Sequence, residues 1–275
     1  MKVFPLKRNL IIFGALSLLE IAVITYLSYW REGFWNAISN KQSDECLLLI
    51  SIFLVVALIL CFLNGYSGFI GNVSSQFLRV KLTKTILKHN GHGIEGHSQR
   101  VQEDCSEFPR LTIWLIQAFC VNVIKSIIYI VIIINQVPTN ILGYMFGWVL
   151  LGTIVAFFIA KPLINLNFQN QAAEAQFRAS LNVFDFTRAF RNNIALYQST
   201  KKLQYFQAFF GQINVIIPYI IMIPYFMQGL ITFGLLMQVA GLLISLTESV
   251  GFFISSFNDI NRWLSSRKRL KAYGL

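Results

Sequence analysis

The chain has 275 residues, of which 55% are apolar and 13% charged, and it carries a formal net charge of +11. Soluble domains hold about 25% charged residues, so a globule surrounded by water is excluded and segments that cross a bilayer set the fold. The surplus of Lys and Arg raises the question of nucleic acid, which the placement of those charges answers below.

Lys2, Lys7 and Arg8 precede an apolar run from Leu10 to Tyr29, which is too long for the h-region of a signal peptide and lacks a cleavage site. It is read as a retained first span. Apolar segments then follow, giving predicted spans at 10–29, 46–70, 111–136, 141–160, 208–229 and 233–257. Each matches the roughly 20 residues that one helix needs to cross a membrane. The predicted fold is an all-α membrane protein of six transmembrane helices, forming a single domain over 1–275.

The breaks at 135–140 and 228–232 are short and uncharged, while 71–110 and 161–207 are long and basic. Of 23 basic residues, 20 fall in the N-terminus, the two long connections and the C-terminus. Arg31 and Lys41 are expected on the outer side, and Lys125 within a span. Lys and Arg collect on the cytoplasmic side of membrane proteins, so both termini are expected in the cytoplasm. The surplus charge reports orientation, and no nucleic-acid partner is expected.

Segments 74–88 and 172–207 mix apolar and charged residues at helical spacing, predicting long helices that extend into the cytoplasm. Gly91, Gly93 and Gly96 mark a turn after the first extension. Pro218 and Pro224 lie inside the fifth span, where each predicts a freed carbonyl and a kink, whether mobile or static.

Glu20, Lys125 and Glu248 are ionisable residues within spans, where each needs a partner or water. Counting the helical rise from the cytoplasmic ends brings Glu20 and Lys125 to one depth near mid-membrane, while Glu248, descending from the outer side, is expected nearer the cytoplasm. Glu20 with Lys125 is either an ion pair joining two helices or part of a proton site, because burial disfavours the ionised form of a carboxyl group. Gln238, Ser245, Glu248, Ser249, Ser256 and Asp259 form a polar stripe on the sixth span. Asn122, Lys125 and Ser126 do the same on the third. Such stripes line cavities or pack helices closely. Arg100 with Glu103 or Asp104, and Glu174 with Arg178, stand three or four residues apart, so each set shares a helix face.

His89, His92 and His97 cluster in one Gly-rich turn, which is read as a solvated loop and not a metal site. Cys46, Cys61, Cys105 and Cys120 lack CxxC spacing and are read as buried small hydrophobes, with neither zinc nor disulfides implied. The sequence contains no G-x-x-x-x-G-K-[ST] loop for nucleotide phosphates and no recognisable catalytic motif. No enzyme activity, cofactor or metal is expected.

The stretch His92–Phe108, HGIEGHSQRVQEDCSEF, resembles a cytoplasmic segment of the SbmA/BacA family of peptide-antibiotic transporters. Leu166–Leu181, LNFQNQAAEAQFRASL, is similar to a second family segment. Gly234–Leu270, opening GLLMQ and closing KRL, is similar to the last long helix. Glu20, followed by the aromatic-rich Tyr29–Trp35, stands where the family has a glutamate in an apolar helix.

The resemblance implies an ABC-exporter-like transmembrane domain without a nucleotide-binding domain. It would work as a homodimer in a bacterial inner membrane, driven by protons and importing peptides or peptide-like antibiotics. It carries the family's acidic residues onto Glu20, Glu95, Glu103 and Glu174, with Arg100 and Arg178 as their neighbours. Lys125 and Glu248 match no charged family position. Compared with longer members, the chain is expected to lack an additional N-terminal helix and an outer segment, and its connection around Pro138 is short.

Overall fold

The computed structural model describes residues 6–88, 100–155, 158 and 186–271, and every regular element among them is helical. The expectations for Glu95, Glu174 and Arg178, for the three histidines and for the glycine turn lie outside the described residues. The helices are α1 (Leu6–Ser39), α2 (Ser43–Lys88), α3 (Cys105–Gln136), α4 (Thr139–Val155), α5 (Phe186–Met227), α6 (Phe233–Ser255) and α7 (Phe257–Leu270), with a π-helical turn at Arg100–Asp104 before α3.

Five helices are long and apolar enough to cross a membrane: α1, α2, α3, the Ala208–Met227 part of α5, and α6. The expected span 141–160 coincides with α4, whose described residues end at Val155 and form a shorter apolar helix. At 1.5 Å per residue, the 46 residues of α2 reach roughly 69 Å, about twice the thickness of the hydrocarbon core. The expected helical extension at 74–88 is therefore present as the end of one continuous helix.

Helix ends meet at two levels. The links at 40–42, 137–138 and 228–232 form a turn end, where Lys41 (φ 57°) and Gly229 (φ 73°) take the left-handed conformation. The opposite, basic end carries the start of α1, the end of α2, the π turn and α7. α7 continues from α6 after a single turn residue, Ser256, and closes on Arg267, Lys268 and Arg269. Three cations in a last turn suit the negative end of the helix dipole.

α6 is the central helix, packed on α1, α3 and α5. The main core joins Tyr129 and Ile133 of α3, Met145 of α4, Met222 of α5 and Leu243 and Leu246 of α6. Outward faces are apolar as well, with Leu47, Leu54, Leu58 and Phe62 of α2 all exposed. Such a surface needs lipid around it.

Close approach of α1 and α6 depends on Gly234. Its N–H donates to Asn36 Oδ1 at 2.8 Å, and an added Cβ would meet the Glu32 carbonyl and the Asn36 side chain. Gly234→Val should therefore cost about 1 to 3 kcal/mol through overpacking, read as a lower unfolding temperature in detergent. An unchanged melting temperature would show that the two helices part easily there.

Candidate functional site

The helices α1, α3 and α6 pack on one another at a junction that carries Glu20, Arg31, Lys125 and Glu248 along its length. Lys125 Nζ of α3 lies 3.8 Å from Glu20 Oε1 of α1, with 19% and 15% of the two side chains exposed. The pairing inferred from helical rise is thus present. One turn along α3 from Lys125 stands Tyr129, which is buried and under the electrostatic influence of both Arg31 and Glu248.

α1 continues past Arg31 to Ser39, and the Arg31 guanidinium lies against Gly241 of α6, in the space a Cβ would take. Asn36 bonds Gly234, and Ser28 accepts from Gln238 Nε2 at 3.4 Å. Continuing that antiparallel register brings Glu248 within about one helical turn of the level of Glu20. Glu248 is exposed on its face of α6.

The polar stripes divide between packing and opening. Gln238, Ser249 and Ser256 are buried between helices, and the Asn122 amide donates to Ala118 O of its own helix at 2.8 Å. Ser245 and Glu248 continue the α6 stripe onto accessible surface. Gln238 is wholly buried and its Oε1 has no partner among the described residues.

A second polar knot had no counterpart in the sequence reading. Asn214 of α5 is buried, and its Oδ1 accepts from Trp148 Nε1 of α4 at 3.0 Å. Thr247 Oγ1 of α6 lies 3.3 Å from the same oxygen and 2.9 Å from Leu243 O, so its one proton is shared. Pro218 has no N–H, which also removes the normal helical donor to the Asn214 carbonyl. The signal available was an asparagine four residues before a proline in an apolar run.

Nearer the basic end, Gln117 Nε2 of α3 donates to Ser17 Oγ of α1 at 3.1 Å and to Ser67 Oγ of α2 at 3.3 Å. Beside it opens an otherwise apolar cavity of about 550 Å³, bordered by Phe13, Ser17, Gln117 and Cys120. Cys120 and Cys61 are exposed and Cys46 is half-buried, so of the four cysteines only Cys105 matches the buried reading.

At the basic end, α7 is tied to the start of α3. Both oxygens of the buried Asp104 accept from Arg269, at 2.8 Å from Nε and 2.6 Å from Nη2. Donating these hydrogen bonds to Asp104 holds the Arg269 guanidinium pKa above its ordinary value. Asp104 was expected to share a helix face with Arg100; the partner the structure gives it comes from the other end of the chain. Arg100 opens the π turn, with its side chain outside the described set, and Glu103 is exposed beside it.

Arg262 pairs with Glu107 and lies 3.6 Å from Asp259. Trp263 donates to Thr112 Oγ1 at 2.8 Å and stacks on Phe108. Beneath this cover, Ile86, Cys105 and Leu270 form a small core, and burial pushes the Cys105 thiol up.

A bundle of membrane-length apolar helices is that of a multi-pass membrane protein, and the family and relatives it matches set it among membrane transporters. The chain belongs to the SbmA/BacA-like family, whose model matches residues 10–275. It is also 22% identical over 317 residues to the Escherichia coli inner membrane ABC transporter ATP-binding protein YddA, covering 94% of this chain and 56% of that protein.

An uncharacterized ABC transporter ATP-binding protein of Haemophilus influenzae is 22% identical over 272 residues, covering 82% of this chain and 45% of the relative. The chloroplastic ABC transporter D family member 2 of Arabidopsis thaliana is 22% identical over 269 residues, covering 82% and 36%. The chain thus spans about half the length, or less, of these curated relatives.

Proposed function

We propose that two copies of this chain form a proton-driven importer of peptides or peptide-like solutes in a bacterial inner membrane. The observation that carries the reading is the α1–α3–α6 junction, where Glu20 pairs with Lys125 and along which Arg31 and Glu248 are also carried, in a chain that belongs to a family of transporters. Solute enters between the two subunits, protons bind membrane-embedded carboxylates, and the cavity reopens on the cytoplasmic side. A ligand or proton shifts such an equilibrium only by its preference for one state, and a carboxylate that is charged in one state and neutral in the other supplies that preference.

Glu20 is the first proton-coupling candidate, with Glu248 facing the same junction and Glu95, Glu103 and Glu174 assigned to the cytoplasmic segments. Lys125 and Arg178 are their charge partners, as is Arg100, and Asp104 holds α7 through Arg269. Both termini face the cytoplasm in this reading, which puts the basic end inside, with α4 as the sixth crossing. The single transmembrane domain, 1–275, has membrane lipid around it and needs neither metal nor cofactor. Two-fold pairing encloses the polar faces that one copy would leave toward lipid.

That the relatives are named ATP-binding proteins favours a second reading, in which a separate ATPase chain powers this membrane subunit. Uptake separates the two. Purified protein in vesicles, with an acidic exterior and no nucleotide, should accumulate a labelled proline-rich peptide above protein-free vesicles. Accumulation that appears only when an ATPase partner and ATP are added would establish the second reading instead.

A further inference from the structure

The α1–α6 seam is closed toward the turn end and open below it. Asn36 bonds Gly234, Ser28 meets Gln238 and Arg31 lies on Gly241. Beyond Gly241 the same face of α6 continues through Ser245 to Glu248, two turns and roughly 10 Å farther along the axis. Arg31 and Glu248 are both exposed, and among the described residues neither forms a hydrogen bond or an ion pair within 4.0 Å.

Glu20 and Lys125 offset each other, and Glu32, beside Arg31, accepts from Gln136 Nε2 at 3.4 Å, which leaves Arg31 and Glu248 as the charges on this seam with neither an ion pair nor a hydrogen bond among the described residues. Charged groups at such depth require a partner or water. Gly241 is suited to this arrangement, because any side chain there would displace the guanidinium.

We propose that Arg31 and Glu248 form a two-point receptor for a zwitterionic peptide backbone, with the carboxylate on Arg31 and the ammonium on Glu248. The proposal rests on the transporter reading, which makes this face the solute side. An extended chain advances about 3.3 to 3.6 Å per residue, so a tripeptide is about as long as the axial rise from Gly241, where the guanidinium lies, to Glu248. The guanidinium fork takes a carboxylate through two parallel hydrogen bonds, while Glu248 accepts from an ammonium. The receptor therefore selects for free ends at a set spacing and is indifferent to side chains.

Equilibrium binding to the purified full chain in lipid nanodiscs tests this, with labelled triglycine as the probe and N-acetyl-triglycine and triglycine amide as competitors. Each blocked peptide should bind about tenfold more weakly than triglycine, the ratio expected for losing one charge-assisted contact. Glu248→Gln should erase the penalty for acetylation and keep the penalty for amidation, and Arg31→Gln should do the reverse. If Arg31→Gln does not fold, Arg31→Lys serves, because it keeps the charge and lacks the fork; the amidation penalty should then shrink.

Equal weakening of all three peptides by both variants, or no effect of either, overturns the receptor. So does a disulfide formed between two copies carrying Arg31→Cys and Glu248→Cys, which would make a second copy the partner of these charges. Binding needs no gradient, so triglycine that binds but is never accumulated would sink the transport reading alone. Gradient-driven uptake of a peptide with both ends blocked, at the rate of the free peptide, would sink the receptor and leave transport intact.

Discussion

Glu20→Gln should give a folded protein that no longer accumulates solute under a pH gradient. Glutamine keeps the shape of the side chain and cannot ionise, so a proton-coupling role is lost while packing survives. The contrary expectation follows if Glu20 serves only to neutralise Lys125. Breaking a buried pair by removing one partner costs about 3 to 5 kcal/mol, because a charge is left uncompensated.

The geometry favours the smaller cost. The ion pair is long, at 3.8 Å, and both side chains keep some exposure, so water can reach the Lys125 amine. The double variant Glu20→Gln, Lys125→Met separates the two cases. A stable and inactive protein supports a proton site, whereas restored stability together with restored uptake makes the pair structural. Normal gradient-driven uptake in Glu20→Gln alone would remove Glu20 from the mechanism and leave Glu248 as the junction's remaining carboxylate.

Arg269→Met should release α7 from the start of α3. Asp104 is buried and both of its oxygens are bonded to Arg269, so the variant leaves a carboxylate without its donors. Arg269 itself is 46% exposed, which lets water replace part of the contact, and the expected loss is about 2 kcal/mol. Cys105 reports the change, since it lies in the same small core as Leu270.

With Cys46, Cys61 and Cys120 replaced by alanine, Cys105 should resist N-ethylmaleimide at neutral pH in the parent protein. Burial both hides the thiol and disfavours the reactive thiolate. In Arg269→Met it should be alkylated readily, and uptake should fall because the helix that closes the basic end is no longer held. Unchanged protection of Cys105 would show that Trp263 on Phe108 and Arg262 with Glu107 hold α7 without the Asp104 contact.

The positions of the apolar segments were legible because a bilayer demands long uncharged runs, and α1, α2, α3 and α6 overlap the predicted spans closely. Glu20 with Lys125 was legible for a similar reason. Both helices rise from the same end, so counting residues gives depth directly. Counting does not fix Glu248 directly, on a helix running the opposite way, because its level relative to Glu20 depends on the register set by contacts such as Gly234 with Asn36. The seat of Arg31 was not legible, because only the missing side chain at Gly241 leaves room for its guanidinium against α6.

Asp104 with Arg269 lay beyond local spacing altogether, since the two residues are 165 positions apart. Periodicity also gives no warning of whether a cysteine faces core or lipid, as Cys61 and Cys120 show. In water an exposed apolar face would be unusual; in a membrane both sides of a helix can be apolar, and the burial signal disappears.

Proton movement tests the central claim most directly. Vesicles holding the purified protein and an internal pH dye, with an acidic exterior and no nucleotide, should acidify internally when peptide is added outside. The same vesicles carrying Glu20→Gln should not respond. Peptide that enters without any change of internal pH, or an acidification that is identical with and without peptide, would contradict coupling of proton to solute.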